Sequence, residues 1–300
     1  DGDCSEVRLP GYRVDALTDA AIRYIDAHKD KPFYLFISYL EPHHQNHRDD
    51  YPAPDGYAER YTGRWIPPDL AALPGSAHQH LGGYYGMVKR LDEALGRLLD
   101  ALKSLRLLDN TIVLFTSDHG CHFKTRNSEY KRSCHESSIR VPCAIQGPGF
   151  FGGGRVDGLV SLVDLPPTLL DAAGIPTLIA IGNHDYDDLA ATRSSTMFNQ
   201  YFGLERYEGK PWFGGAFEPG KAENVYALFD AGGETYMVLV LEFGPRDEVI
   251  DWANEVVAAH PEAKVIVLTH SFLHHDGWRV DEGTEWSPNR YGLGADANAG

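Results

Sequence analysis

Asp118 and His119 end the apolar run "TIVLFTSDHG" (111–120), where a carboxylate and an imidazole on adjacent residues can both reach one cation. Lys131 follows in "NSEYKRSCHESSIRVPCAIQGPG", and His43 comes from "EPHH" upstream. An ammonium and an imidazole can jointly hold a tetrahedral oxyanion and protonate its leaving oxygen. A second set lies further along the chain. Gly182-Asn183-His184-Asp185 follows the apolar run "TLIAI", and His270 ends the run in "KVIVLTHS" (264–271). The Asn183 side-chain oxygen and His270 can ligate the same metal. His184 would face the opposite side of a bound substrate, with acidic Asp185 fixing its tautomer. Plainer readings stand beside both sets: a capping or turn Asp with a solvated His for the first, and a G-N, H-D turn for the second. His274 and His275 read as loop histidines.

These residues need elements to aim them. The runs "PFYLFISYLEPHH" (32–44), "TIVLFTSDHG", "TLIAIGNHD" (177–185) and "KVIVLTHS" are apolar, β-type and end in polar chemistry. Continuous apolar runs suit strands covered on both faces, and in open α/β sheets the site lies beyond the strands' carboxyl ends. A fifth run, "TYMVLVLEF" (235–243), ends without such a cluster and reads as scaffold. Between them lie helical patterns. In 85–105 the residues Val88, Leu91, Leu95, Leu98 and Leu102 fall on one face, and 14–28 and 247–260 behave alike. Alternating strand and helix patterns predict an α/β class. Segment 44–80 reads as a long surface excursion near the first cluster.

Composition sets the bounds. With 43% hydrophobic and 23% charged residues, the chain has the make-up of a globular protein rather than a disordered one. Its formal charge of −16 argues against nucleic acid or an anionic membrane as a generic partner. An anionic substrate stays open, because a metal inverts the field locally. Cys4, Cys121, Cys134 and Cys143 form no CxxC pair, so neither a zinc finger nor a disulfide framework is expected. The latter three read as packing residues. No run approaches the ~18 apolar residues of a membrane span. No signal peptide is visible and the sequence opens on Asp1, which leaves localisation open.

From about Tyr12 to Pro176 the chain resembles the C-terminal half of the sulfatase family, in the alkaline-phosphatase-like superfamily. The blocks are "YRVDALTDAAIRYID", "PFYLFISYLEPH", "YYGMVKRLDEALGRLLDAL", "DNTIVLFTSDHG", "YKRSCHESSIRVPCAIQGPG" and "VSLVDLPPTLLDAAGIP". The resemblance implies a parallel-rich α/β sheet of that type. It implies Asp118 and His119 as metal ligands, with calcium the expected ion. It also implies Lys131 and His43 as sulfate-contacting residues, with His44 the alternative occupant of the His43 role. The family nucleophile, a Cys or Ser in C/S-x-P-x-R, and an early acidic pair are absent from these residues and expected upstream. Cys4 in "CSEVR" has the Arg but lacks the Pro and lies too close to His43.

Over about 175–285 the chain is similar to part of the calcineurin-like metallophosphoesterase family, through "GIPTLIAIGNHDY", "YMVLVLEFGPRDEVIDWANEVV" and "KVIVLTHSFL". That likeness implies Asn183 and His270 as ligands of zinc, manganese or iron, and His184, oriented by Asp185, at the transition state. The family's D-x-H, G-D-x-x-D and G-H-x-H motifs are not placed. The two patterns overlap at Gly174-Ile175-Pro176 without a linker, so the expectation is two incomplete domains, 1–175 and 176–300, in a chimeric chain. Three function classes follow. One is a hydrolase of small-molecule or glycan sulfate esters, or of phosphate esters. The others are a non-catalytic metal or oxyanion binder, and an artefactual chain.

Overall fold

Apolar residues at three- and four-residue spacing make α1 (Arg13–His28) and α4 (Ala77–Ser104) amphipathic, and the two pack together. The computed structural model describes residues 11–45, 47–272, 278–280, 287–294 and 296–298. Its contacts divide the chain into two units, Asp1–Val163 and Asp164–Gly300, a division upstream of the junction expected at 175/176.

In the first unit the seam is built by Ala21 and Ile25 against Leu98 and Leu102, and by Val14 against Leu91 and Ala94. The buried stripe of α4 runs through Met87, Leu91, Ala94, Leu98 and Leu102, while Val88 is 40% exposed. The expected face is thus rotated by one residue at its start, because 87 rather than 88 continues the 3.6-residue period of 91, 94 and 98. Arg90 pairs with Asp15 at 2.5 Å and Arg97 pairs with Asp19, both flanking the seam. The stretch expected as a surface excursion contains α2 (Tyr57–Tyr61) and α3 (Pro68–Ala71). It buries Tyr51 and Leu70 in one cluster with Ala77, Leu81 and Met87 of α4.

That approach depends on Gly83, where an added Cβ would stand 2.2 Å from the Tyr51 carbonyl oxygen. Gly83→Ala gains about 1 kcal/mol of helix propensity, but overpacking against backbone costs about 3 kcal/mol. A net loss of about 2 kcal/mol is expected in urea denaturation. An unchanged midpoint would show that the 51–53 segment moves aside freely.

β1 (Val113–Thr116) pairs antiparallel with β2 (Cys143–Gln146), from Val113 opposite Gln146 to Thr116 opposite Cys143. α5 (Glu136–Ile139) lies between them in sequence. This corrects the expected parallel-rich sheet of the first half, since among the described residues β1–β2 is that unit's sheet. The 33–39 run forms no ladder, although its exposure alternates from residue to residue. Phe33, Leu35 and Ile37 pack on the α1–α4 cluster, while Tyr34 and Phe36 stand 78% and 76% exposed. The run is apolar on both sides but covered on one, and continuous hydrophobicity cannot tell these cases apart.

The second unit opens with α6 (Leu165–Ala172). Gly174 at φ 70° caps it, with Ile175 N–H donating to the Leu170 carbonyl and Gly174 N–H to that of Asp171. This is a Schellman stop, so the segment where two sequence patterns overlap is locally a helix terminus. α7 (Thr196–Phe202) begins where the Asp187 carboxylate accepts the Thr196 and Met197 N–H groups. A sheet follows, in the order β3 (Phe213–Ala216), β4 (Val225–Ala231), β5 (Glu234–Val240) and β6 (Lys264–Leu268). The first two pairings are antiparallel. β5 and β6 are parallel, joined through the crossover helix α8 (Asp247–Ala259). The runs expected as strands at 235–243 and 264–271 are strands over most of their length. "TLIAI" is not. It packs irregularly, with Ile181 fully buried beside Val225, Val240 and Phe243.

Candidate functional site

His43 follows a turn anchored on α1. Glu41 is buried there and accepts Arg13 at 2.8 Å, and His43 N–H donates to the Leu40 carbonyl. On the other side of the site, Asn127 holds the loop carrying Lys131. Its side-chain oxygen accepts Glu129 N–H at 2.8 Å and its amide donates to the Arg132 carbonyl at 2.7 Å. The two segments meet at one atom. His43 Nε2 lies 2.8 Å from the Tyr130 hydroxyl and 3.4 Å from Lys131 Nζ. His43 Nδ1 donates to the His44 carbonyl at 2.7 Å. His44 itself is buried and bonds Asp49 through Nε2 at 2.9 Å. Lys124 and His44 together hold the Asp49 carboxyl below the usual carboxylate range. Of the two adjacent histidines it is therefore His43 that faces Lys131.

Lys131 forms no ion pair with a carboxylate among the described residues; its ammonium faces His43 and the Tyr130 ring. The Lys131 ammonium carries three donors and meets one acceptor, His43 Nε2, from 88 residues away, so it has donor capacity left over for an anion.

Asp118 and His119 leave β1 in a tight turn. Asp118 Oδ1 accepts His119 N–H at 2.9 Å, Ser117 Oγ donates to the His119 carbonyl at 3.0 Å, and His119 Nδ1 donates to the Gly120 carbonyl at 2.9 Å. His119 Nε2 is 3.4 Å from Asp118 Oδ2, and the Asp118 side chain is 80% exposed. These contacts stay within residues 117–120.

In the second unit Asn183 and His270 converge. Asn183 Oδ1 lies 3.0 Å from His270 Nε2, and Asn183 Nδ2 donates to the Tyr291 hydroxyl at 3.0 Å. His184 is exposed. Asp185 accepts Gly182 N–H at 2.8 Å, so its carboxylate closes its own turn and makes no described bond to His184. The bond that Asp185 makes here is the turn chemistry usual for Asp, and its expected role toward His184 stays a proposal.

Two features were not legible beforehand. Tyr130 carries no spacing signal; only its place beside Lys131 in "EYKRS" marks it. His122 is fully buried with neither ring nitrogen hydrogen-bonded, and burial pushes its pKa down. Of the cysteines expected to pack, Cys121 does so, 3.0 Å from the Tyr51 hydroxyl, and burial pushes its thiol up. Cys134 and Cys143 are exposed free thiols, which corrects that expectation for both. Cys4, His274 and His275 lie outside the described residues. Among the described residues no helix is long and apolar enough to cross a membrane.

A family model described as Sulfatase matches residues 2–175. The chain is 34% identical over 178 residues to the uncharacterized sulfatase YdeN of Escherichia coli K12, covering 56% of this chain and 29% of that protein. It is 40% identical over 129 residues to arylsulfatase K of Rattus norvegicus, covering 43% of this chain and 22% of that protein. The chain thus spans less than a third of the length of these curated relatives. A solved structure, the PsFucS1 sulfatase from Pseudoalteromonas sp., is 28% identical with a TM-score of 0.39, over 58% of this chain and 34% of that one.

Proposed function

Because the chain belongs to the sulfatase family, we propose that His43 and Lys131 form the sulfate-contacting part of a sulfuric-ester hydrolase site. The observation that carries this reading is the 3.4 Å approach of Lys131 Nζ to His43 Nε2, with no carboxylate paired to the lysine among the described residues. Lys131 would hold a sulfate oxygen by charge-assisted bonding. His43 would protonate the leaving oxygen of a small-molecule or glycan sulfate ester. Calorimetric titration with sodium sulfate tests the reading. Saturable binding is expected for the chain and not for a His43→Ala, Lys131→Ala variant, and equal heats from both would refute it.

The sulfatase family generally uses a divalent metal, and Asp118 and His119 are the residues its pattern implies. As placed they do not make a calcium site by themselves. Calcium takes about six to eight oxygen ligands. This pair supplies one carboxylate and one imidazole. Among the described residues no group of three or more His, Cys, Asp or Glu side chains is placed to hold an ion. Asp118 and His119 would thus supply part of such a site, with the early acidic pair that the resemblance implies supplying more, and the His43–Lys131 reading is supported separately by the 3.4 Å approach.

One observation favours a second reading, a weak cation site of calcineurin-like kind in residues 176–300: the 3.0 Å approach of Asn183 Oδ1 to His270 Nε2. In that bond His270 Nε2 carries the proton, because an amide oxygen only accepts. Ligation would require that proton to move to Nδ1 and the amide bond to break, so manganese should bind weakly. Titration of the wild type against Asn183→Ala, His270→Ala checks this, and equal manganese binding by both removes the site. The splice at 174–177 rests on the overlap of the two patterns. Sequencing source DNA across residues 170–180 tests it, and one uninterrupted reading frame would argue for a natural junction.

A further inference from the structure

We propose that Tyr130 is a positioning residue for His43, its hydroxyl holding the Nε2 edge of the ring toward Lys131 in the tautomer protonated on Nδ1. The inference rests on the reading of His43 and Lys131 as an oxyanion pair. His43 Nδ1 lies 2.7 Å from the His44 carbonyl, which can only accept, so Nδ1 carries the proton. The neutral ring then presents a lone pair at Nε2. Two donors face it, the Tyr130 hydroxyl at 2.8 Å and the Lys131 ammonium at 3.4 Å, and the hydroxyl is the nearer. Burial raises the Tyr130 phenol above its ordinary pKa, so it keeps its proton.

Tyr130 also touches the other parts of the cluster. Its ring meets that of His43 edge-on, with centroids 5.4 Å apart and planes at 84°. Lys131 Nζ lies 5.5 Å from the centre of the same ring, a cation–π arrangement, and the His44 ring is 5.0 Å away. One side chain therefore contacts both the imidazole and the ammonium.

The two donors at Nε2 are not equivalent. An ammonium only donates, and it repels an imidazolium. A hydroxyl donates to the neutral Nε2 and, after rotation, accepts from Nε2–H once the ring holds a second proton. A residue that protonates a leaving oxygen passes through both states. When the Nε2 proton moves to that oxygen, the ring returns to neutral with Nδ1–H intact, and the hydroxyl turns back to donate. Tyr130 serves both states, while Lys131 serves the neutral one and the anion.

The test is nitrogen-15 NMR of the His43 ring in the full 300-residue chain, assigned with His43→Gln and compared with Tyr130→Phe, which keeps the aromatic packing and removes only the hydroxyl. The wild type is expected to show a protonated Nδ1 and an unprotonated, hydrogen-bonded Nε2. In Tyr130→Phe the Nε2 resonance should move toward that of a free ring nitrogen, or the tautomers should mix. The backbone amide spectrum away from the site should stay unchanged, which separates this effect from misfolding. Inorganic sulfate should still shift His43 in Tyr130→Phe, with affinity weakened about fivefold, the worth of one neutral hydrogen bond. In Lys131→Ala the sulfate response should vanish. An Nε2–H tautomer in the wild type, or identical ring spectra with and without the hydroxyl, would overturn the proposal. If sulfate fails to shift His43 in the wild type while the ring spectrum still depends on Tyr130, the oxyanion reading falls and the positioning of His43 by Tyr130 stands.

Discussion

Glu242→Ala is expected to destabilise the second unit by about 3 kcal/mol, the lower end of the range for breaking a buried ion pair. The Glu242 side chain is 4% exposed. Its Oε1 accepts Arg193 at 3.0 Å and Arg246 Nε at 2.9 Å, and its Oε2 accepts Asn224 at 3.1 Å. Alanine removes the carboxylate and leaves two largely buried guanidinium groups facing a cavity. Some compensation remains, because Arg193 keeps the Gly244 carbonyl at 2.8 Å and Arg246 keeps Glu218 and Glu248. That compensation places the expectation at the lower end. Glu242→Gln preserves volume and one acceptor and should lose less. Urea unfolding followed by far-ultraviolet circular dichroism measures both, and a loss below about 1 kcal/mol for alanine would mean that the arginines find water instead.

The second large effect is an absence of turnover. The 300-residue chain is expected to release sulfate from an aryl sulfate no faster than His43→Ala, Lys131→Ala. Residues 1–300 contain no C/S-x-P-x-R motif. A proton donor and an oxyanion clamp lower the barrier of a displacement but do not supply the attacking group. General acid assistance is worth about 10²–10⁴-fold only on a reaction that already has a nucleophile. Robust, His43-dependent hydrolysis would mean that one of these residues attacks sulfur.

Periodicity carried much of the fold. The helical patterns at 14–28 and 247–260 correspond closely to α1 and α8, and 85–105 lies almost wholly inside α4. The run at 235–243 corresponds to β5. Periodicity failed at "PFYLFISYL" and "TLIAI", where apolar side chains pack without a ladder, because hydrogen-bond partners come from distant segments that local pattern does not encode. It also missed that β1 and β2 run antiparallel, a matter of how the chain returns rather than of which residues it contains. In the proposed site, residue type and family likeness single out His43 and Lys131, and the fold brings the two side chains together. Tyr130 was not, because a tyrosine beside a lysine is common and only the fold brings its hydroxyl to His43. Sequence adjacency likewise does not say which partner Asp185 takes: its carboxylate accepts the nearby Gly182 backbone N–H.

The most direct measurement is a crystal structure of the chain grown with selenate as a sulfate mimic, using the anomalous signal of selenium. An anomalous peak is expected beside Lys131 Nζ and His43 Nε2, with selenate oxygens within hydrogen-bond reach of both and Tyr130 still bonded to His43. A structure with His43 and Lys131 out of reach of a common anion, or with selenate bound elsewhere and none between them, would contradict the assignment of these two residues as the oxyanion site.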